Sequence, residues 1–383
     1  MMKLPAIPPR ARAWLLLIGV ALLAALAGRD FLAQRQPEVL RPSGGLGEVR
    51  RLSEWHAPLA GSRGDTELYR FVGAEPGGRV LVLGGTHPNE PAGFLAAVLL
   101  VENLQVERGE IWVLPRANAS AFTATDPQEG TPQRLVLPAA DGRPRWFRVG
   151  GRATNPLDQW PDPEITVHRP SLQALSGIET RNLNRSYPGR ADGSFTEQVA
   201  FTIRSLLERE HFDLVVDFHE AAIEYPVVNA IVAHERAGDL AAMAVLGLEM
   251  NGVDIALEPS PLNLHGLSHR ELGDHVPGLR AVLYESANPG QGRLRGRTDA
   301  AQILEGRDPC YLAAQDIPGM NKVPVDSTGL PLWLRVGRHL DALRETLLAL
   351  ELVDPERPVS ATGLPSLDDL RTRGLSPWLA PAP

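Results

Sequence analysis

With 383 residues, 43% of them hydrophobic and 22% charged, the chain is long enough to bury a sizeable core as one large domain or two ordinary ones. Thirty-eight Lys and Arg against 46 Asp and Glu leave a net charge of -8, without the basic excess that phosphate binding needs, so no nucleic-acid partner is expected. The 36 Gly and 34 Pro follow no fixed period, which sets aside collagen-like and repeat architectures, and the single cysteine, Cys310, excludes an intrachain disulfide and any multi-cysteine metal site.

The first thirty residues differ from the rest. Lys3, Arg10 and Arg12 precede the apolar run Trp14 to Ala27, which ends in Ala25-Leu26-Ala27, giving a basic flank, an apolar stretch and a small-residue cleavage pattern over residues 1–27. The run is shorter than the ~20 residues that span a bilayer comfortably, which favours a removed signal peptide over a retained membrane anchor. Either way the basic flank stays in the cytoplasm and the body is expected on the other side, periplasmic or secreted, with 14–27 as a membrane tether if it is kept. Residues 28–50 read as a polar linker and 354–383 as a Pro-rich peripheral tail, leaving 51–353 as the folded domain.

Within that domain Arg79 to Leu83 is a β-branched apolar run that stops at Gly84-Gly85, which predicts a buried strand. Ala92 to Glu102 reads as a helix, Ile111 to Leu114 as a strand ended by Pro115, and Val106 to Thr180 as a long irregular interval. Thr196 to Arg209 predicts a helix, Asp213 to Phe218 a strand, Ala237 to Met250 a helix, Leu279 to Tyr284 a strand and Val336 to Leu352 a closing helix. Strands separated by helices predict an α/β three-layer sandwich with a mixed, largely parallel sheet. In such sheets the chemistry gathers beyond the carboxyl ends of the strands.

The residues just past each strand therefore decide the function. His87 and Glu90 come after the first strand, and His219 after the third; two imidazoles and one carboxylate are a donor set for catalytic zinc. A second group, His265, His269 and His275, offers two imidazoles four residues apart, but Gly266 weakens a helix there and no Glu follows the first His. Cys310 has no His or Asn setting that marks a nucleophile and reads as a small buried hydrophobe.

Between the two ligand segments lies Thr180-Arg181-Asn182-Leu183-Asn184-Arg185-Ser186-Tyr187-Pro188-Gly189. With it, the order His-x-x-Glu, Leu-Asn-Arg, a third His and a late Glu resembles the zinc carboxypeptidase superfamily, and within it the succinylglutamate desuccinylase and aspartoacylase branch, over roughly residues 79 to 290. The resemblance implies that His87, Glu90 and His219 hold one zinc ion per chain. It also implies that Asn184 and Arg185 grip a substrate carboxylate, a guanidinium being a planar fork that meets a carboxylate with two bonds. Glu285, in Leu283-Tyr284-Glu285-Ser286, matches the catalytic Glu. Arg181 is a candidate to polarise the scissile carbonyl, with Arg169 competing for that role, and Tyr187, Tyr225 and Tyr311 are candidates for the mobile tyrosine of the carboxypeptidase branch.

The chain departs from the branch in lacking the small β-rich domain that its deacylases carry after the catalytic Glu. The reading is an exported zinc-dependent hydrolase acting on an amide bond next to a free carboxylate, in a small peptide, a cell-wall peptide or an N-acyl amino acid. The alternatives are an N-acyl amino acid deacylase and a non-catalytic exported binding module on the same fold.

Overall fold

The computed structural model describes residues 8–125 and 130–382, so Lys3 of the basic flank lies outside the described residues. The chain divides into two units, Met1–Pro37 and Glu38–Pro383. The first is helix α1 (Pro9–Gln34), with a window of mean hydropathy 2.0. At 1.5 Å per residue its 26 residues measure about 39 Å, enough by length and composition to cross a hydrocarbon core of about 30 Å. The helix outruns the apolar stretch because no proline interrupts it before Pro37.

The second unit opens with β1 (Leu46–Arg51), β2 (Glu67–Val72), β3 (Glu75–Leu83), α2 (Pro91–Asn103) and β4 (Gln105–Leu114). Two hairpins come next, β5 (Arg134–Pro138) with β6 (Pro144–Arg148), and β7 (Ile165–Val167) with β8 (Ala174–Ser176). After them are α3 (Phe195–Arg209), β9 (Leu214–Ala221), β10 (Ala230–Ala233), α4 (Gly238–Met250), β11 (Ala256–Pro259), α5 (Ser268–His275) and β12 (Arg280–Ala287). The chain closes with α6 (Ala300–Glu305), α7 (Pro309–Ala313), α8 (Leu332–Val353), β13 (Ser360–Thr362) and α9 (Leu367–Arg373).

The main sheet runs β1-β2-β4-β3-β9-β12-β10-β11, and β13 pairs with β4. Its centre, β4-β3-β9-β12, is parallel, with antiparallel β2 and β10 on either side. Side chains alternate across it with a period of two. Val80, Val82, Val216, Phe218, Val282 and Tyr284 join the core under α2, α4 and α8, whereas Leu81, Leu83, Val215 and Ala281 join the core under α3 and α5. The α/β three-layer architecture with a mixed, largely parallel sheet is thus the fold of this chain. Gly93 explains how closely α2 lies on β9: a Cβ there would come within 2.5 Å of the Phe218 carbonyl oxygen.

Two segments differ from their sequence reading. Residues 28–50 contain the end of α1, the start of β1 and a buried anchor: the Glu38 carboxylate receives Arg148 (3.1 Å to each oxygen) and Arg116 (3.2 Å). The segment from Asp354 supplies β13 and α9 and buries Val359, Leu370, Leu375 and Leu379 in the main core. Its backbone at Ala380 donates to Glu102 at 2.8 Å, and Glu102 also pairs with Arg145 at 2.6 Å. Prolines break the periodicity that would announce these contacts, because the segment docks as short pieces.

Candidate metal centre

Strand β3 ends at Leu83, and the turn after it needs Gly85: its φ is +64°, and a Cβ would meet the Phe122 ring at 2.7 Å. The turn delivers His87, and Glu90 stands immediately before α2, whose first residue is Pro91. His219 lies within β9 and Glu285 within β12, each one position past where the apolar runs suggested the strands end. The apolar pattern stops early because Asp217, His219 and Glu285 occupy one face of the sheet as polar residues. The parallel register sets Glu285 directly beside His219.

The structure brings His87, Glu90 and His219 together, with one ligand atom from each within 4.8 Å of the others, and all three are buried. His87 Nδ1 is 2.8 Å from Glu90 Oε1, and His219 Nδ1 is 2.9 Å from Glu90 Oε2. The far nitrogens face other groups. His87 Nε2 lies 2.8 Å from Asn182 Oδ1. That oxygen also accepts the Asn184 N–H at 3.0 Å, while the Asn182 amide nitrogen donates to Glu179 at 2.7 Å, which fixes the orientation of the amide. His87 must therefore carry its proton on Nε2 and present a lone pair on Nδ1. His219 Nε2 lies 3.0 Å from Asp217 Oδ2, and Asp217 is itself held by the hydroxyls of Thr86 (2.9 Å) and Ser268 (2.6 Å).

Burial opposes ionisation of Glu90, but His87 and His219 outweigh it and hold the carboxyl well below the usual carboxylate range. Burial, with help from Arg152, lowers His87 to about 4. Burial also disfavours charge on His219, yet Asp217 and Glu90 overcome it and raise its pKa well above the usual value. A neutral His87 thus faces the Glu90 carboxylate acceptor to acceptor, an arrangement that a cation between them reconciles. The donor set fits zinc, with His87 and His219 as Nδ1 ligands, Glu90 as the carboxylate, and Asn182 and Asp217 orienting the imidazoles from behind.

Glu285 is partly buried, and burial pushes its carboxyl up to about 8, against the pull of His219. Its Oε2 has no hydrogen-bond partner among the described residues. Arg152, which the sequence reading missed, donates to Glu90 Oε1 at 3.2 Å. Its one local sign is the preceding Gly150-Gly151, which lets the loop press on Ala121: a Cβ at Gly150 would come within 2.1 Å of that carbonyl oxygen. Asn184 is buried and its Oδ1 accepts from the Ser268 N–H at 2.7 Å. Arg185 is half-buried, donates to the Asn184 carbonyl at 2.6 Å, and stands 4.0 Å from Glu179.

Arg181 is not brought to the centre. Its guanidinium meets Asp162 with two bonds of 2.6 and 2.7 Å and donates to the Thr154 carbonyl at 2.6 Å. Arg169 is exposed and lines a cavity of about 150 Å³ with Arg185 and Arg190. Of the tyrosines, Tyr187 and Tyr311 are fully buried, and only Tyr225, just past β9, is exposed. His265 and His269 do not share a helix, since Gly266 has φ +83° and α5 begins at Ser268. His265 joins His168 around Glu271 instead, at 2.8 Å, and the ring of His269 is buried. Cys310 is exposed, contrary to its reading as a buried hydrophobe.

No family model matches the chain, and no curated protein does. Among solved structures, the chain is similar to the cell shape determinant protein Csd4 from Helicobacter pylori, at 12% identity and a TM-score of 0.45, covering 80% of this chain and 58% of that one. It is similar to an aspartoacylase family protein from Mesorhizobium loti at 19% identity and a TM-score of 0.35, over 58% of this chain and 56% of that one. A succinylglutamate desuccinylase/aspartoacylase from Rhodobacter sphaeroides aligns at 18% identity and a TM-score of 0.37, over 69% and 63%. The chain spans between a half and two thirds of the length of each.

Proposed function

We propose that the body is a zinc-dependent hydrolase that cleaves an amide bond next to a free carboxylate, on the far side of the cytoplasmic membrane. The observation that carries this reading is the convergence of His87, Glu90 and His219 on one buried point, with Glu285 beside His219 on the next strand. Zinc held there would supply Lewis-acid polarisation of a carbonyl and acidify water. Glu285, in its ionised form, takes the proton of the attacking water and passes it to the leaving amine. Arg152, beside Glu90, takes the role of facing the developing oxyanion that Arg181 was expected to fill, because the Arg181 guanidinium is committed to Asp162. Arg185 and Asn184 hold the substrate carboxylate, the former with guanidinium N–H groups that the carbonyl of Asn184 does not use up.

The substrate is a small peptide or an N-acyl amino acid, and a panel of C-terminal peptides and N-acyl amino acids separates the two. A binding module on this fold would need neither the full donor set nor Glu285. The metal assignment is tested by His219→Ala, which should lose zinc and activity together from a chain that otherwise holds about one equivalent. Full zinc occupancy in that variant would refute the assignment.

A further inference from the structure

Away from the metal centre, a second group of imidazoles gathers on one carboxylate. Glu271, on α5, is buried, and among the described residues no Arg or Lys stands within 4.0 Å of its carboxylate. Its neighbours are histidines instead: His265 Nδ1 at 2.8 Å, His275 Nδ1 at 3.6 Å and His168 Nε2 at 3.9 Å. A buried carboxylate is costly unless a charged partner or a metal ion answers it.

The segments that meet there are far apart in the chain. His168 sits just past β7, in the turn of the β7–β8 hairpin, whereas His265 lies in the loop before α5. Gly266 lets that loop close in: a Cβ there would come within 2.3 Å of the Arg185 carbonyl oxygen, and its N–H donates to Glu271 Oε1 at 3.0 Å. Gln173 ties the hairpin to the same loop, donating to the Asn263 carbonyl at 2.8 Å and accepting the His265 N–H at 2.9 Å. One donor atom each from His168, His265 and Glu271 therefore lies within 4.8 Å of the other two. His168 has a partner for either tautomer, with Ser171 Oγ 2.6 Å from Nδ1 and the Tyr187 carbonyl oxygen 2.6 Å from Nε2. When Ser171 takes the Nδ1 proton, Nε2 and the Tyr187 oxygen are two acceptors side by side, and a cation that meets both satisfies them. His275 takes no part, because its Nδ1–H donates to the Glu271 backbone carbonyl at 2.9 Å.

We infer that His168, His265 and Glu271 form a second, structural site for a divalent ion of the zinc class, which clamps the β7–β8 hairpin to α5. Imidazole donors suit zinc, nickel or copper, whereas calcium and magnesium prefer all-oxygen sites. The His265 side chain is 32% exposed, unlike the buried ligands of the first centre, so water reaches this site and its ion exchanges with solution. Equilibrium dialysis tests the site on the full-length chain in detergent micelles. Dialysis into metal-free buffer leaves only the ion of the His87, Glu90 and His219 centre, and added zinc should then fill a second equivalent. His219→Ala should still take up one equivalent from added zinc, whereas His265→Ala and Glu271→Gln should take up none beyond the first. Excess zinc should also raise the Tm of His219→Ala, and leave that of the double variant His219→Ala/His265→Ala unmoved. His265→Ala, a loop substitution, keeps the test readable if Glu271→Gln does not fold. No second equivalent in the native chain would overturn the proposal. A second equivalent that survives in both His265→Ala and Glu271→Gln would place the ion elsewhere and equally overturn it. The two centres are read apart, since failure at the first shows before zinc is added and failure at the second only after it.

Discussion

A carboxyl group that burial raises to about 8 is, once ionised, a stronger base than an exposed glutamate, and Glu285 has that character on the strand next to His219. Glu285→Gln should keep zinc and substrate affinity while kcat falls about 10²- to 10⁴-fold, as measured by metal analysis and steady-state kinetics together. The two arginines separate just as cleanly. Arg181→Ala leaves Asp162 without its bidentate partner and should lower stability by about 3 kcal/mol, seen as a fall in Tm. Arg152→Ala removes a half-exposed guanidinium from the centre, so Tm should stay within the range of a surface change while kcat/KM drops by about tenfold or more. Equal losses of Tm in both variants would make Arg152 structural. That His87, Glu90 and His219 gather at one point, with Glu285 on the strand beside His219, was legible in the sequence because each stands next to a buried strand. Arg152 was not, since it reaches Glu90 from an irregular loop that no periodicity announces.

Pairs of buried charges, more than hydrophobic runs, decide which elements join at the body's N-terminal edge. Glu38 is held below the ordinary 4.5: burial works against it, and Arg148 and Arg116 prevail. A depressed carboxyl contributes stability that is present above the unfolded value and is lost as pH falls through the folded value. The stability difference between the native chain and Glu38→Gln should accordingly be constant above about pH 5 and shrink steadily below it, as read from urea unfolding across that range. A difference that ignores pH would show the ion pairs to be idle. At this scale the buried central elements were readable from their apolar runs: β3, the end of β4, β9 and β12, with α2, α3, α4 and α8. The edge elements β1, β2, β10, β11 and β13 were not, being short or alternating with polar residues, and β13 depends for its existence on β4.

On the scale of the whole chain, α1 and the metal centre make separate demands. A reporter fused after about residue 60 should be active only beyond the cytoplasmic membrane, given Arg10 and Arg12 ahead of the apolar run of α1, and activity in the cytoplasm would return the protein to an intracellular setting. The contacts of the body reach far along the chain: Glu90 of the centre meets the backbone of Glu220 across 130 residues, and Glu102 meets Ala380 of the C-terminal segment across 278. Contacts of such range close late in folding, after the local turns and helices have formed. The pairing of β13 with β4 cannot form until the C-terminal part of the chain has been made. If the body is exported as an extended thread, as the proposed function has it, the metal would be loaded only after crossing, and the proposed activity would then depend on the zinc available in the compartment where the chain folds.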